Sequence, residues 1–241
     1  LKDVQLWAKK LKLPITVLGG GTNVLVSDSG VKGVVISLSK ISGLMVISKQ
    51  ESAEGMLEAW VWAGTPKSEL LKFFLKNKSD AALFLAGLPG QVGSGVVMNA
   101  GVSEDISPRE FHEITEMVEV LRPNGDSEII EAKKLKWSYR HCEGWKPGII
   151  VRVLISYPDR PNPQVAEKVR ALNHQRLQKQ PLDLPNCGSV FRNPLPHRAG
   201  QLIDEAGLKG HQIGGAQIST KHANFIVNLG TATAHDIKQL I

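Results

Sequence analysis

The chain of 241 residues is long enough for one large or two modest domains with cores of their own. Hydrophobic residues make up 42% and charged residues 22%, which excludes a disordered chain, and no apolar run is long enough to span a bilayer. The net charge of +6 comes without a dense basic tract, so we expect a small anionic ligand and no nucleic acid. The two cysteines, Cys142 and Cys187, make no disulfide framework and favour a reducing compartment, so we expect a cytoplasmic protein.

Apolar periodicity predicts interleaved helices and strands. In chain order they are a helix over residues 4–11; strands over 15–18, 24–26, 34–38 and 57–63; a helix over 67–76; strands over 118–121 and 128–130 around an Asn-Gly turn; a strand over 149–157; a helix over 165–178 after a proline-rich break; a short helix over 200–206 ended by Gly207; a strand over 225–227; and a last helix from residue 234, capped by Thr233. This mixture indicates an α/β or α+β class.

Three adjacent glycines, Gly19, Gly20 and Gly21, are followed by Thr22 and Asn23. Consecutive glycines can turn successive backbone N–H groups toward one point, and a pyrophosphate is the natural guest of such an anion-binding nest. The pattern is not a Rossmann fingerprint, which needs spaced glycines opening a helix, and no Walker-type Gly-Lys-Ser/Thr follows. A glycine-rich hairpin without a ligand is the alternative.

A second glycine-rich segment, residues 86–101, contains no charged residue. An apolar, uncharged and flexible loop of this kind is better suited to wrap a flat, bulky ligand than to lie in solvent. Ser94, Asn99 and free backbone N–H groups could then bond the edge of a heteroaromatic ring system. The alternative is a buried, tight connection between two packed layers.

Residues 185–194 place a hydroxyl (Ser189), a cation (Arg192) and a side-chain amide (Asn193) close together between two prolines. Prolines fix their own φ, so a short turn or strand edge here would hold these polar groups still over a ligand. An ordinary surface turn is the alternative. Arg140, farther upstream, could bind a carboxylate with its two-pronged guanidinium, although a lone arginine is more often solvated or salt-bridged.

Other chemistries find little support in the sequence. The histidines show no paired ligand spacing, and neither HExxH nor CxxC occurs, so we expect no metal site. Gly-x-Ser-x-Gly is absent, so Ser189 and Ser94 are not in nucleophile elbows. We expect Cys187 to be a packed small residue and not a thiol nucleophile, because nothing nearby suggests a base.

Five motifs match one family in the same order along essentially the whole chain. They are residues 18–28, residues 86–101, the pair Tyr139-Arg140, residues 188–194, and a C-terminal motif in two blocks, 206–210 and 221–225. In this combination the chain resembles the UDP-N-acetylenolpyruvoylglucosamine reductases (the MurB family), in the subgroup without a tyrosine-loop insertion. The resemblance implies an α+β fold, with an FAD-binding domain of the vanillyl-alcohol oxidase type over 1–159 and a smaller α+β substrate-binding domain over 160–241.

The family's reaction, which the resemblance implies for this chain, reduces the enolpyruvyl ether of UDP-N-acetylglucosamine to UDP-N-acetylmuramate for peptidoglycan. NADPH delivers hydride to FAD, and the sugar nucleotide then enters in place of NADP. Arg140 would stabilise the negative charge that spreads into the substrate carboxylate, and Ser189 would donate the proton. We expect both side chains to converge on the flavin ring.

The resemblance also implies the ligand contacts, with no metal among them. The cofactor contacts are Gly19, Gly20, Gly21, Thr22, Asn23, Gly87, Pro89, Gly90, Gly93, Ser94, Asn99 and Gly101. The substrate contacts are Tyr139, Arg192, Asn193, Lys221 and His222.

The chain departs from the family pattern in several places. The chain stops before the segment that carries the family's catalytic glutamate, and it lacks the first strand segment, so we expect the chain as given to be weakly active or inactive. Cys142 stands where a serine is frequent, which leaves that contact in doubt. The alternatives are a flavin oxidase or dehydrogenase of another small substrate, and a nucleotide-binding module without turnover.

Overall fold

The computed structural model describes residues 1–48, 50–102, 106–194 and 196–241. The contacts between residues divide the chain into two compact units. The first unit comprises Leu1–Gly20 and Gly33–Leu172, and the second comprises Gly21–Lys32 and Asn173–Ile241. The boundary predicted between residues 159 and 160 stays a prediction.

The first unit combines a sheet with helices on the same core. Its elements are α1 Lys2–Lys10, β1 Ile15–Leu18, β2 Val34–Ser37, β3 Leu44–Val46, β4 Met56–Trp62, α2 Lys67–Lys76, α3 Val92–Val97, β5 Thr115–Leu121, β6 Ser127–Glu131, β7 Lys136–Ser138, β8 His141–Glu143, β9 Ile149–Pro158 and the start of α4 Val165–Lys179. Within the described ranges, the main sheet is antiparallel and orders its strands β3-β4-β9-β5-β6. β1 and β2 form a parallel pair, and β7 and β8 form a hairpin.

The core of the first unit lies on β9, which pairs with β4 on one side and β5 on the other. Val153 and Ile155 of β9 are completely buried, as expected for a central strand covered by helices. α2 buries Leu70 and Phe74, which lie four residues apart and therefore on one helix face. The start of α4 joins the same core through Val165 and Val169.

The second unit is a small α+β layer. Its elements are the rest of α4, β10 Asn186–Ser189, α5 Ala199–Glu205, β11 Gln212–Ile213, β12 Ala216–Ile218, β13 Phe225–Asn228 and α6 Ala234–Gln239. The antiparallel sheet has the order β10-β13-β12-β11, so β10 is an edge strand. Residues 21–32 belong to this unit because the Asp28 carboxylate accepts hydrogen bonds from the N–H groups of Ala234 and His235, at 2.8 and 3.1 Å.

Most predicted elements are confirmed, and so is the α+β class. The helix over 67–76 has the predicted bounds, the Asn-Gly turn joins β5 to β6, and Thr233 caps α6 with a reciprocal capping box. The strand predicted over 118–121 begins three residues earlier, at Thr115. The other predicted helices and strands lie within one or two residues of the observed bounds, except for one.

That exception is the strand predicted over residues 24–26, which is wrong. The segment has no ladder partner among the described residues, and Val24, Leu25 and Val26 are each more than 40% exposed. The Val24 carbonyl accepts from the Cys187 thiol at 3.0 Å instead. A β-branched run favours a strand only where a partner strand and a packed face are present, and neither is found here.

The second glycine segment also differs from the expected loop, because its middle is the helix α3. Val92 and Val96 are completely buried and lie four residues apart, so packing stabilises a helix that its glycines disfavour. In the part of the chain that the structure describes, no helix combines the length and hydropathy needed to cross a bilayer.

Candidate functional site

The first glycine cluster and the two residues after it have free backbone N–H donors. None of the backbone N–H groups of residues 19–23 donates a hydrogen bond to a described residue. Gly21 has a φ of +69°, a left-handed conformation that glycine adopts without strain. Unpaired N–H groups on a half-exposed loop are the arrangement that the anion-nest hypothesis needs.

Gly19 lies against the start of α3, so part of the first glycine cluster meets the second within the first unit. A Cβ at Gly19 would lie 3.1 Å from the Ser94 Cβ and 3.6 Å from Gln91 Oε1. The Ser94 hydroxyl donates to the Gln91 carbonyl at 2.8 Å. Gln91 is only 7% exposed, and its Oε1 is buried without a hydrogen-bond partner among the described residues.

These observations fit a dinucleotide cofactor. A buried amide oxygen without a partner costs free energy that a ligand donor can recover. The adjoining loop has unpaired backbone N–H donors, and the oxygens of a pyrophosphate can accept hydrogen bonds from them. The sequence did not single out Gln91, because its significance depends on the approach of Gly19 from a distant part of the chain.

Packing accounts for several glycines of the second cluster. A Cβ on Gly93 would lie 2.6 Å from the Ala63 Cβ, one on Gly95 would lie 2.5 Å from the Phe111 ring, and one on Gly101 would lie 2.2 Å from a backbone carbonyl. The alternative of a tight connection between layers therefore explains their small size. Their cofactor contacts, and those of Gly87, Pro89 and Gly90, stay predictions.

Arg140 occupies the two-residue turn between β7 and β8, with a φ of +58°. Its guanidinium lies 4.8 Å from the centroid of the Tyr139 ring, so the predicted pair is stacked. Nη2 donates to the Gly101 carbonyl at 2.8 Å, and Nη1 lies 3.4 Å from Glu110 Oε1 and 3.5 Å from the Asn99 carbonyl. The side chain is 28% exposed, and these contacts leave some of its five N–H donors for a ligand anion.

Lys67, which the sequence did not single out, is a buried cation near Arg140. Its ammonium donates to the Pro89 carbonyl at 2.9 Å and lies 5.7 Å from the centroid of the Phe111 ring. Burial, and then the charge of Arg140, lower the pKa of Lys67 to about 8. Lys67 is only 5% exposed. Nothing in the sequence indicated this burial, because a lysine at the start of an amphipathic helix is ordinarily exposed.

Ser189 ends the edge strand β10 in the second unit. Gly188 precedes it with a φ of +80°, and the register with β13 shifts between Asn186 and Ser189, so the strand is irregular just before the hydroxyl. Ser189 is exposed, and its hydroxyl makes no hydrogen bond to a described residue. The hydroxyl is therefore free to serve a ligand.

The turn after Ser189 is fixed by Asn224, which is 4% exposed. The Asn224 amide donates to the Phe191 carbonyl and accepts from the Phe191 N–H, both at 2.9 Å, and the Asn224 carbonyl accepts from the Val190 N–H. The sequence placed Asn224 in a C-terminal motif without a role. Because Asn224 bonds both the N–H and the carbonyl of Phe191, it supports the turn that follows Ser189.

Several predicted substrate contacts already have protein partners. Asn193 Oδ1 accepts from the Ala199 N–H at 3.1 Å, and Lys221 Nζ donates to the Leu177 carbonyl at 2.6 Å. Nδ1 of His222 accepts from the backbone two residues downstream, and burial lowers the pKa of the imidazole. The roles of these residues, and of the exposed Arg192, stay predictions.

Two family models match the chain. The FAD binding domain model matches residues 1–131, and the model of the UDP-N-acetylenolpyruvoylglucosamine reductase C-terminal domain matches residues 180–241. A UDP-N-acetylenolpyruvoylglucosamine reductase from Caldanaerobacter subterraneus subsp. tengcongensis is 38% identical over 98% of this chain and 74% of its own length. One from Streptococcus thermophilus is 37% identical over 100% of this chain and 76% of its own.

The chain belongs to the UDP-N-acetylenolpyruvoylglucosamine reductase family. A crystal structure of such a reductase (MurB) from Thermus caldophilus superposes with a TM-score of 0.79 at 32% identity, covering 97% of this chain and 82% of that one. The predicted family and fold class are thus confirmed.

Within this reductase family chain, the FAD binding model contains both glycine clusters and Glu110, and the C-terminal model contains Ser189 and Asn224. Arg140 lies outside the residues that either model matches. Because Arg140 belongs to the first unit and Ser189 to the second, their convergence stays a prediction. Cys142 packs in the core of the first unit, and burial raises the pKa of its thiol to about 12.

Proposed function

We propose that this protein reduces UDP-N-acetylglucosamine enolpyruvate to UDP-N-acetylmuramate with FAD and NADPH, a step of peptidoglycan precursor synthesis in the cytoplasm. The observation that carries the proposal is the similarity to reductases of this name along nearly the whole chain. The two polar groups that the reaction needs, the Arg140 guanidinium and the Ser189 hydroxyl, are both accessible.

FAD, when bound, supplies the hydride for this reaction. Within the first unit, Gln91, Ser94 and the unpaired N–H groups of Gly19 and Gly20 are the groups that would hold it. These groups form hydrogen bonds but carry no charge. The second glycine cluster contains no charged residue either.

Arg140 stabilises the charge that develops on the substrate. Hydride arrival at the terminal alkene carbon leaves negative charge on the adjacent carbon and its carboxylate. A guanidinium held by the Gly101 carbonyl and the Tyr139 ring presents fixed positive charge without reorganisation.

Ser189 completes the reduction by protonating the adjacent carbon. A serine hydroxyl is a weak acid, so it acts only against a strongly basic carbanion or enolate, and solvent restores its proton. Its hydroxyl has no partner among the described residues, so transfer breaks no hydrogen bond to them.

Single-turnover kinetics of Ser189→Ala, in the protein expressed from its intact gene, test this proposal. Flavin reduction by NADPH should keep the wild-type rate, and reoxidation by the enolpyruvyl nucleotide should slow by roughly a hundredfold or more, because general acid catalysis contributes about 10²–10⁴-fold. Equal slowing of both half-reactions would show that Ser189 is structural. Wild-type protein without NADPH oxidation in the presence of this nucleotide would refute the function itself.

A further inference from the structure

The Glu110 carboxylate joins two residues that have unusual backbone conformations. Its Oε1 lies 3.4 Å from Arg140 Nη1, and its Oε2 accepts from Asn99 Nδ2 at 2.8 Å. Arg140 and Asn99 have φ values of +58° and +38°. L-residues rarely adopt such angles unless surrounding contacts hold them, so this carboxylate lies where support is required.

Asn99 closes a ring of contacts around the arginine turn. Its Nδ2 donates a second hydrogen bond to the Ser138 carbonyl at 3.1 Å, and Ser138 is the last residue of β7, just before the turn. Its Oδ1 accepts from the His112 N–H at 3.1 Å. The buried Asn99 amide is therefore committed to protein partners, and it ties Glu110 to the base of the hairpin that carries Arg140.

The backbone around Glu110 strengthens this support. Glu110 pairs with Gly101 in an isolated antiparallel bridge, and a Cβ on Gly101 would lie 2.6 Å from the Glu110 Cγ. The Gly101 carbonyl in turn accepts from Arg140 Nη2 at 2.8 Å. On the other side of Glu110, the Glu113 carboxylate accepts from the Glu110 N–H at 3.1 Å and caps the helical turn Phe111–Glu113. The backbone of Glu110 is thus fixed at Gly101 and at Glu113, which limits where its carboxylate can lie.

We infer that Glu110 is a positioning residue for Arg140, fixing the guanidinium for the negative charge that develops on the substrate. The inference rests on the proposed function. Glu110 itself needs no substrate contact, because its carboxylate is occupied by protein groups. Besides Arg140 and Asn99, it contacts His112 Nδ1, which lies 3.4 Å from Oε2, and it accepts from the Glu113 N–H in a capping box. An arginine without this acceptor keeps only carbonyl contacts and the Tyr139 ring, and a long side chain then samples other rotamers.

Glu110→Gln tests the inference, because glutamine keeps an acceptor for Asn99 and loses the charge facing Arg140. Reoxidation of the flavin by the enolpyruvyl nucleotide should fall by roughly ten- to hundredfold, since small misplacements of catalytic groups have effects of that size. The dissociation constants of FAD and of the enolpyruvyl nucleotide, the rate of NADPH-driven flavin reduction and the melting temperature should stay close to wild type. Glu113→Gln is the matched control, since the Glu113 carboxylate binds the backbone N–H groups of Arg109 and Glu110 without touching Arg140.

A double-variant comparison separates positioning from a general structural role. If Glu110 acts through Arg140, Glu110→Gln should slow an Arg140→Lys protein little further, because the affected interaction is already lost. If the two effects multiply, or if Glu110→Gln lowers FAD affinity and both half-reactions alike, the positioning role is wrong. The proposed function fails separately, if wild-type protein does not turn over the enolpyruvyl nucleotide at all. An active wild type with a slow Arg140→Lys and a normal Glu110→Gln would refute the positioning role alone.

Discussion

Lys67 makes a quantitative prediction about stability. Its pKa is lowered from 10.5 to about 8 in the folded protein, and the side chain is 95% buried, that is, 5% exposed. The two values differ by about 2.5 (10.5 minus 8), and one pKa unit corresponds to about 1.4 kcal/mol. Well below pH 8 the folded protein therefore bears a cost of about 3 kcal/mol for the buried charge.

The direction of the pH dependence follows from proton binding. Between pH 8 and 10.5 the unfolded chain keeps the Lys67 proton and the folded chain has released it. The unfolded state then binds more protons, so this residue's contribution to folding stability rises with pH through that window. From about pH 7 to about pH 9.5 the rise should be about 2 kcal/mol.

Lys67→Met removes the titrating group and keeps a flexible chain of similar length. The free energy of unfolding, measured by urea titration at both pH values, should favour the variant at pH 7 by about 2 kcal/mol after the loss of the Pro89 hydrogen bond. The advantage should largely disappear near pH 9.5. Lys72→Met, at an exposed position of the same helix, is the control. A wild-type minus variant difference that is flat with pH would refute the reasoning.

Three further substitutions test the packing. Asn224→Ala removes both hydrogen bonds to Phe191 and should lower the free energy of unfolding by about 2–3 kcal/mol in urea titration, because buried peptide groups lose their partners. Gly95→Ala should destabilise by about 1–3 kcal/mol in thermal unfolding despite the better helix propensity of alanine, because its Cβ would lie 2.5 Å from the Phe111 ring. Thr233→Ala should lose about 1 kcal/mol in the same assay, since it removes the capping box of α6.

For each of these three predictions, one result would contradict it. If the free energy of unfolding of Asn224→Ala equals that of the wild type, the turn after Ser189 needs no side-chain support. A Gly95→Ala protein with raised melting temperature would show that propensity outweighs the close contact at Phe111. For Thr233, a serine variant should keep the wild-type stability, and equal losses in the serine and alanine variants would argue against a capping role.

Local patterns in the sequence were sufficient for much of the fold. The helix α2 follows from its apolar periodicity, and the β5–β6 hairpin follows from Asn124-Gly125 between two β-rich runs. Residues 24–26 carry the same β-branched signal, but a strand also needs a partner, which sequence spacing does not reveal. The helix α3 is the opposite case, since burial of Val92 and Val96 overrides its poor glycine propensity.

The candidate site was predicted where a motif carries its chemistry and missed where distant residues meet. Arg140 and Ser189 stand in recognisable motifs and are accessible. Glu110 contacts Arg140 across 30 positions of sequence, and Asn224 grips Phe191 across 33. No local pattern distinguishes either from an ordinary polar surface residue, so their roles emerge only from the folded chain.

The central claim is that this protein binds FAD and passes its hydride to an enolpyruvyl sugar nucleotide. The most direct measurement is the visible spectrum of the protein from its intact gene, reduced with NADPH without oxygen and then mixed with UDP-N-acetylglucosamine enolpyruvate. The account predicts a yellow protein that bleaches with NADPH and regains the oxidised flavin spectrum on mixing, with one lactyl product formed per flavin. A colourless protein that takes up no FAD, or a bleached protein that the nucleotide does not restore, would contradict it.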